Sequence, residues 1–322
     1  MIRLLLFCAL ATISTLSLAA KPADIQLRAV QIPNDVSYWQ QSGFVEMVPP
    51  LRLPTDKVND NSIQVWVKVP PEGKISVTWL EPQHRFSLKF PAGTVADRME
   101  IYKHEAKAML VVRDIEDVRG ARIDSHGDSI FHVYEPVPGG DERWLKGYEW
   151  LRTDNEGDRL AGESLVKLYY PGGDPKAQAE IQGFRRMNQC GACHQPDRPT
   201  PVVVARPMLH ASDSHGFYQP LTVLDDTMAV RTHRKWDLNA DDPFVSVWCG
   251  TQKVQAITDG DSRGYKCPGD AVAVGKLNLP AALAAKDSHA LQVCKARNYL
   301  FEHMDEKARA AYRPSFQECS IH

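Results

Sequence analysis

His126-Gly127-Asp128, followed by Ile130-Phe131-His132-Val133-Tyr134, reads as a turn feeding a β-strand. Glycine supplies turn geometry without steric cost, and an unbroken run of β-branched and aromatic residues suits a pleated, half-buried surface. Upstream, Met109-Leu110-Val111-Val112 continues this pattern, as do Phe86, Leu88 and Phe90, and Ile75, Val77 and Trp79. Ile63, Val65, Val67 and Val69 alternate within an otherwise proline-rich, polar stretch from Lys21 to about Pro71, expected to wrap the rest. Two more strands are expected near Gly147–Leu151 and Leu165–Tyr170. The chain as far as about Pro171 therefore predicts mostly antiparallel β structure.

The pattern then turns helical. Asp174 suits an N-cap, Pro175 suits the first helical position, and Ala177, Ile181 and Phe184 recur at i, i+4 and i+7. Phe184 reads equally as ordinary core and as a residue packing against what the helix delivers, Gln189-Cys190-Gly191-Ala192-Cys193-His194. Pro196, Pro199, Pro201 and Pro207 stop any continuation. From Pro280 to Tyr312, Leu283, Leu291, Cys294 and Leu300 stand at broken helical spacing, a pattern expected to form a small C-terminal lobe. The predicted class is α+β: a leader over 1–19, a β-rich domain over 20–172, the cysteine-motif segment over 173–236 and a disulfide-containing lobe with helix over 237–322.

Met1-Ile2-Arg3, the apolar run Leu4 to Leu16 and the small residues around Ser17-Leu18-Ala19 have the three parts of a secretory signal. The expectation is cleavage, no stable membrane span afterwards, and a soluble protein in a bacterial periplasm. Cys8 belongs to this apolar run. Six of the seven cysteines remain. An oxidising compartment favours two disulfides from Cys249, Cys267, Cys294 and Cys319, and the shorter loops favour Cys249–Cys267 and Cys294–Cys319 among three possible pairings. A zinc site is the rival, but the four cysteines lack knuckle-like spacing.

The formal charge is −2, and losing Arg3 with the leader makes it one unit more negative. That balance argues against nucleic-acid binding, which needs a concentrated basic surface. With 43% apolar residues over 322 positions, the chain can bury a sizeable core.

In an exported chain, C-x-x-C-H is the attachment signature of a c-type haem. Two thiols one helical turn apart match the haem's two vinyl groups, and the adjoining imidazole is brought beneath the iron. Cys190 and Cys193 are thus expected to hold one covalent haem c, with His194 as proximal iron ligand. The ring nitrogen of His194 turned from the iron needs an acceptor, which a loop carbonyl could supply. A redox or structural C-x-x-C pair is the competing reading. Met208, His210, His215, Met228 and His233 are candidate distal ligands, Met228 first among them, with ordinary core packing the alternative for that methionine.

The motif resembles that of single-haem c-type cytochromes, a likeness confined to Cys190–His194. A β-rich segment ending in C-x-x-C-H is similar to the P-460-like cytochromes and their c-prime-beta relatives over about Ile75 to His194. That likeness implies a β-sheet haem pocket with an open distal side and, in hydroxylamine-oxidising members, a lysine cross-linked to the porphyrin. Lys103, Lys107 and Lys167 lie in the matching region, none of them aligned to the cross-linking position. The chain departs from the family in continuing more than a hundred residues past the motif.

Asp237-x-Asn239-x-Asp241-Asp242 opens like a calcium loop, but Asp242 replaces the turn glycine and Trp248 replaces the closing glutamate, so a solvated acidic turn is expected. Arg231, His233, Arg234 and Lys235 form a basic cluster able to neutralise propionates or dock an acidic redox partner. The readings are electron transfer between redox partner proteins; a haem enzyme or gas-binding protein with a small nitrogen or oxygen species at an open iron; or a haem-free, disulfide-stabilised interaction module. A di-haem peroxidase is disfavoured because there is no second C-x-x-C-H.

Overall fold

The computed structural model describes residues 27–51, 62–80, 85–105, 111–127, 129–137, 139–151, 155–172, 223–224, 227–230, 241–259, 262–265, 267–268 and 273–321. It is a mixed α+β structure built on a seven-stranded antiparallel sheet. Its strands are β1 (Leu27–Pro33), β2 (Val45–Glu46), β3 (Ser62–Lys68), β6 (Val95–Glu105), β7 (Val111–Ile123), β8 (Ser129–Pro136) and β9 (Trp144–Leu151), in the order β1-β9-β8-β7-β6-β3-β2. The hairpin β4 (Ser76–Leu80) and β5 (Arg85–Lys89) stands beside it. The turn from β7 to β8 falls where the sequence places it. Gly127 has φ +88°, and the Asp124 carboxylate accepts the His126 backbone N–H at 2.8 Å.

β1 and β2 are successive strands at opposite edges of the sheet, so the chain between them crosses one face, carrying α1 (Val36–Gln41). Asp35 caps this short helix by accepting from Ser37. Trp39 points down into Trp66, Met99, Ile101, Ile115, Val118, Tyr134 and Leu145. A register shift between Glu100 and Ile101 leaves Glu116 as a bulge residue, so Ile115 and Val118 both reach this layer.

The opposite face is covered by α2 (Asn155–Tyr169), where a strand over Leu165–Tyr170 is expected from sequence. Ala161, Leu165, Val166 and Tyr169 sit at helical spacing and bury against Phe131, Val133 and Trp150. The short run from Leu165 is apolar enough to suit either structure, and tertiary packing settles it as helix.

A second sheet, ordered β10-β15-β11-β12, comprises β10 (Thr227–Val230), β11 (Val245–Cys249), β12 (Gln252–Val254) and β15 (Ala273–Leu277). β13 (Ile257–Asp259) and β14 (Ser262–Gly264) form a small hairpin. Three helices follow: α3 (Leu279–Ala284), α4 (Ser288–His303) and α5 (Glu306–Gln317), each with a capping Asn or Asp. Val293, Ala296, Leu300, Met304, Ala308 and Phe316 share one core with Val65, Val67, Val69, Ile75 and Val77. Ile75 donates to His303 O at 2.8 Å, and the Asp305 N–H donates to Ile75 O at 2.9 Å. The helical region expected as a small lobe is thereby seamed to the β-rich part.

Buried Arg297 donates to the carbonyls of Val223 and Ser315, and Ser315 Oγ donates to Leu224 O. No helix among the described residues is long and apolar enough to cross a membrane. The disulfides are Cys249–Cys267 and Cys294–Cys319, the pairing expected from loop length. Cys294 and Cys319 are 25 residues apart, and replacing both by serine is expected to lower unfolding free energy by about 3 kcal/mol, read from urea midpoints against the oxidised wild type.

Candidate functional site

Cys190, Cys193 and His194 lie outside the described residues, as do Met208, His210, His215, His233, Lys107, Phe184 and the Asp174 helix start. Met228 lies on β10, its backbone paired with Gly275, which in turn pairs with buried Val247. Lys103 lies on β6 opposite Arg113, and Lys167 is exposed near the end of α2. Of the calcium-like stretch, Asp242 is buried and its carboxylate accepts the Phe244 N–H at 3.0 Å, a turn-closing role. Trp248 lies on β11 with the Lys276 ammonium 5.6 Å from its ring centre.

What the structure brings together, and the motif reading did not single out, is a polar row beneath α1. Antiparallel register aligns Glu46, Trp66, Asp97, Gly120, His132, Glu149 and Arg28 across all seven strands. His132 Nε2 lies 2.7 Å from Asp97 Oδ1, and Trp39 Nε1 donates to Asp97 Oδ2, also at 2.7 Å. Both members of the pair are buried, with side chains 2% and 5% exposed. Gly120 makes this bond possible. A Cβ there would stand 2.5 Å from Asp97 Oδ1 and the Ala96 carbonyl oxygen, and closer still to His132 Nε2.

The neighbouring position carries the row onward. His132 stacks on Tyr134 with ring centres 4.8 Å apart and planes 14° from parallel, and Tyr134 OH donates to Glu149 Oε1 at 3.2 Å. Burial, followed by the Glu149 charge, pushes the Tyr134 phenol well above its ordinary range, so it stays a neutral donor. Glu149 Oε2 faces Arg122 at 3.6 Å and Arg28 at 3.8 Å. Among the described residues Asp97 meets no arginine or lysine: its partners are the ring nitrogens of Trp39 and His132. His132 Nδ1 is buried without a hydrogen-bond partner among the described residues. The neutral Nε2–H tautomer is thus the one that strands no buried N–H.

The opposite sheet face carries an ion network. Arg119 Nε donates to Asp117 Oδ2 at 2.7 Å, and Arg98 reaches Glu100 at 3.2 Å and Asp117 at 3.4 Å. Burial raises the Glu100 carboxyl above its ordinary 4.5, with Arg98 partly offsetting the rise. Among the described residues no group of three or more His, Cys, Asp or Glu is placed to hold a metal ion. His132 and Tyr134 stand at i and i+2 in a strand otherwise apolar at its centre, the one local hint of a polar layer. Their partners Asp97 and Trp39 come from distant strands.

Comparison with protein-family models, curated proteins and solved structures gives no match to this chain.

Two outcomes follow from the geometry. Gly120→Ala should cost about 1–3 kcal/mol in urea unfolding, because the added methyl overpacks the buried pair. Glu100 binds its proton more tightly folded than unfolded, so its contribution is present below the ordinary carboxylate value and lost as pH rises through the raised one. The stability difference between wild type and Glu100→Gln should therefore move in the variant's favour as pH rises through that window, measured by denaturant titration at a series of pH values.

Proposed function

We propose that the chain is an exported cytochrome that binds one haem c covalently and passes electrons between redox partner proteins in the periplasm. The reading is carried by Cys190-Gly191-Ala192-Cys193-His194. Cysteine accounting supports it: the two disulfides take Cys249, Cys267, Cys294 and Cys319, leaving both motif thiols outside those bonds, together with Cys8 of the leader. Two thiols and an imidazole at this spacing are the right donor set for the group.

Cys190 and Cys193 would hold the porphyrin edge as thioethers, and His194 would bind the iron. When bound, the haem supplies reversible one-electron exchange. The protein's share is to tether the group, fix the plane of the His194 imidazole through its second nitrogen, and present a docking face. Arg231, His233, Arg234 and Lys235 suit an acidic partner, whose approach they would steer at low salt. Disulfides are consistent with an oxidising compartment.

A second reading is favoured by the seven-stranded antiparallel sheet preceding the motif: a P-460-like protein with an open iron that takes a small nitrogen or oxygen species. The full chain, produced with the c-haem maturation machinery, should give an alkaline pyridine spectrum of a two-thioether haem, and Cys190→Ser should shift it to the one-thioether form. Colourless protein with the mass of the bare polypeptide would sink both readings. Prompt carbon monoxide binding by the reduced protein, without loss of a methionine or histidine ligand signal, would select the second.

A further inference from the structure

The row beneath α1 joins two things that ordinary core packing does not require: an oxidisable indole and a buried carboxylate that meets no arginine or lysine among the described residues. Trp39 is 1% exposed and gives its N–H to Asp97 Oδ2 at 2.7 Å. Asp97 holds His132 with its other oxygen, and an Nε2–H imidazole is the tautomer that gives each buried N–H of the pair a partner among the described residues. With that tautomer the Asp97 carboxylate lies buried with two ring N–H groups as its support, a costly arrangement for a charge. Glu149, one strand along, has Arg28 and Arg122 for its charge. The Tyr38 ring is partly exposed and meets Trp39 edge-on, with centres 5.2 Å apart and planes at 89°.

We propose that Trp39, Asp97 and His132 form a proton-coupled redox site, in which Trp39 yields one electron to a strong one-electron oxidant of the oxyl-radical class. The Nε1–H bond of Trp39 breaks and its proton moves to Asp97 Oδ2, forming a carboxylic acid and a neutral indolyl radical. His132 keeps its Nε2–H on Oδ1, and the electron leaves to the oxidant by way of Tyr38. The step removes the buried charge, because the carboxylate becomes a neutral acid while the indole remains neutral. Burial thus favours losing the electron and proton together, and shields the radical from solvent once formed. In effect the sheet carries a one-electron reserve against oxidants. The proposal does not rest on a bound haem, so failure of either reading leaves the other standing.

The test uses the full-length exported protein, treated with ferricyanide so that any iron is ferric, with ruthenium tris-bipyridine and a cobalt(III) quencher generating the oxidant in a laser flash. Ring-deuterated tryptophan distinguishes indolyl from phenoxyl signals in electron paramagnetic resonance. A long-lived neutral indolyl radical is expected in wild type and in a control lacking exposed Trp79 (Trp79→Phe), and is expected to vanish in Trp39→Phe. Asp97→Asn keeps an oxygen to accept the indole N–H but offers no carboxylate for the proton, so the signal should change from neutral to cationic indolyl. This second variant decides the matter if Trp39→Phe does not fold. Absence of a long-lived indolyl signal in wild type, undiminished signal in folded Trp39→Phe, or an unchanged neutral radical in Asp97→Asn would overturn the proposal.

Discussion

One carboxylate, that of Asp97, has to be satisfied across a neighbouring strand, and much of the sheet is arranged around that demand. His132 belongs to β8 and Asp97 to β6, with β7 between them, so their bond exists because position 120 carries no side chain. A buried carboxylate that lost either donor would leave charge uncompensated in a low-dielectric layer. The same requirement fixes α1: its indole must come down over β6, which sets where the chain crosses the face. Register, helix placement and the glycine gap are three expressions of one electrostatic constraint.

The two faces of the sheet handle polarity differently. Beneath α1, aromatic rings and N–H groups surround Asp97 and reach Glu149, and among the described residues the arginines of this row stand at the Glu149 end. On the other face, Arg98 and Arg119 alternate with Glu100, Asp117 and Glu135, so each charge has an opposite neighbour. A layer of neutral donors is sensitive to one proton more or less, whereas a chain of alternating charges spreads the change over several partners. That contrast makes the α1 side the chemically responsive one.

Period-two alternation made β3, β4, β5 and β8 and parts of β7 and β9 legible, and Gly127 with its acidic neighbours made the β7–β8 turn legible, because both signals are local; β1, β2, the polar-rich β6 and the short strands β10–β15 carry no such alternation strong enough to read. The disulfide pairing was readable from loop entropy. α2 was not: Leu165-Val166 and Leu168-Tyr169-Tyr170 resemble a strand in isolation, and only the faces of Phe131, Val133 and Trp150 select the helix. The Asp97 row was hidden for the same reason. Nothing near Asp97 announces His132, thirty-five positions away, or Trp39, fifty-eight positions away, since cross-strand partners are set by register and not by neighbourhood. The C-x-x-C-H motif is the reverse case, legible as chemistry from five residues.

The pairing of β1 with β9 has a consequence for how the molecule is born. Leu27 aligns with Trp150 and Pro33 with Trp144, so the first strand among the described residues must wait for the last strand of its sheet. Until then an apolar ribbon has neither neighbour nor cover, and such non-local closures are slow and prone to mispairing. Vectorial synthesis therefore leaves this edge strand unpaired until Trp144–Leu151 has left the ribosome.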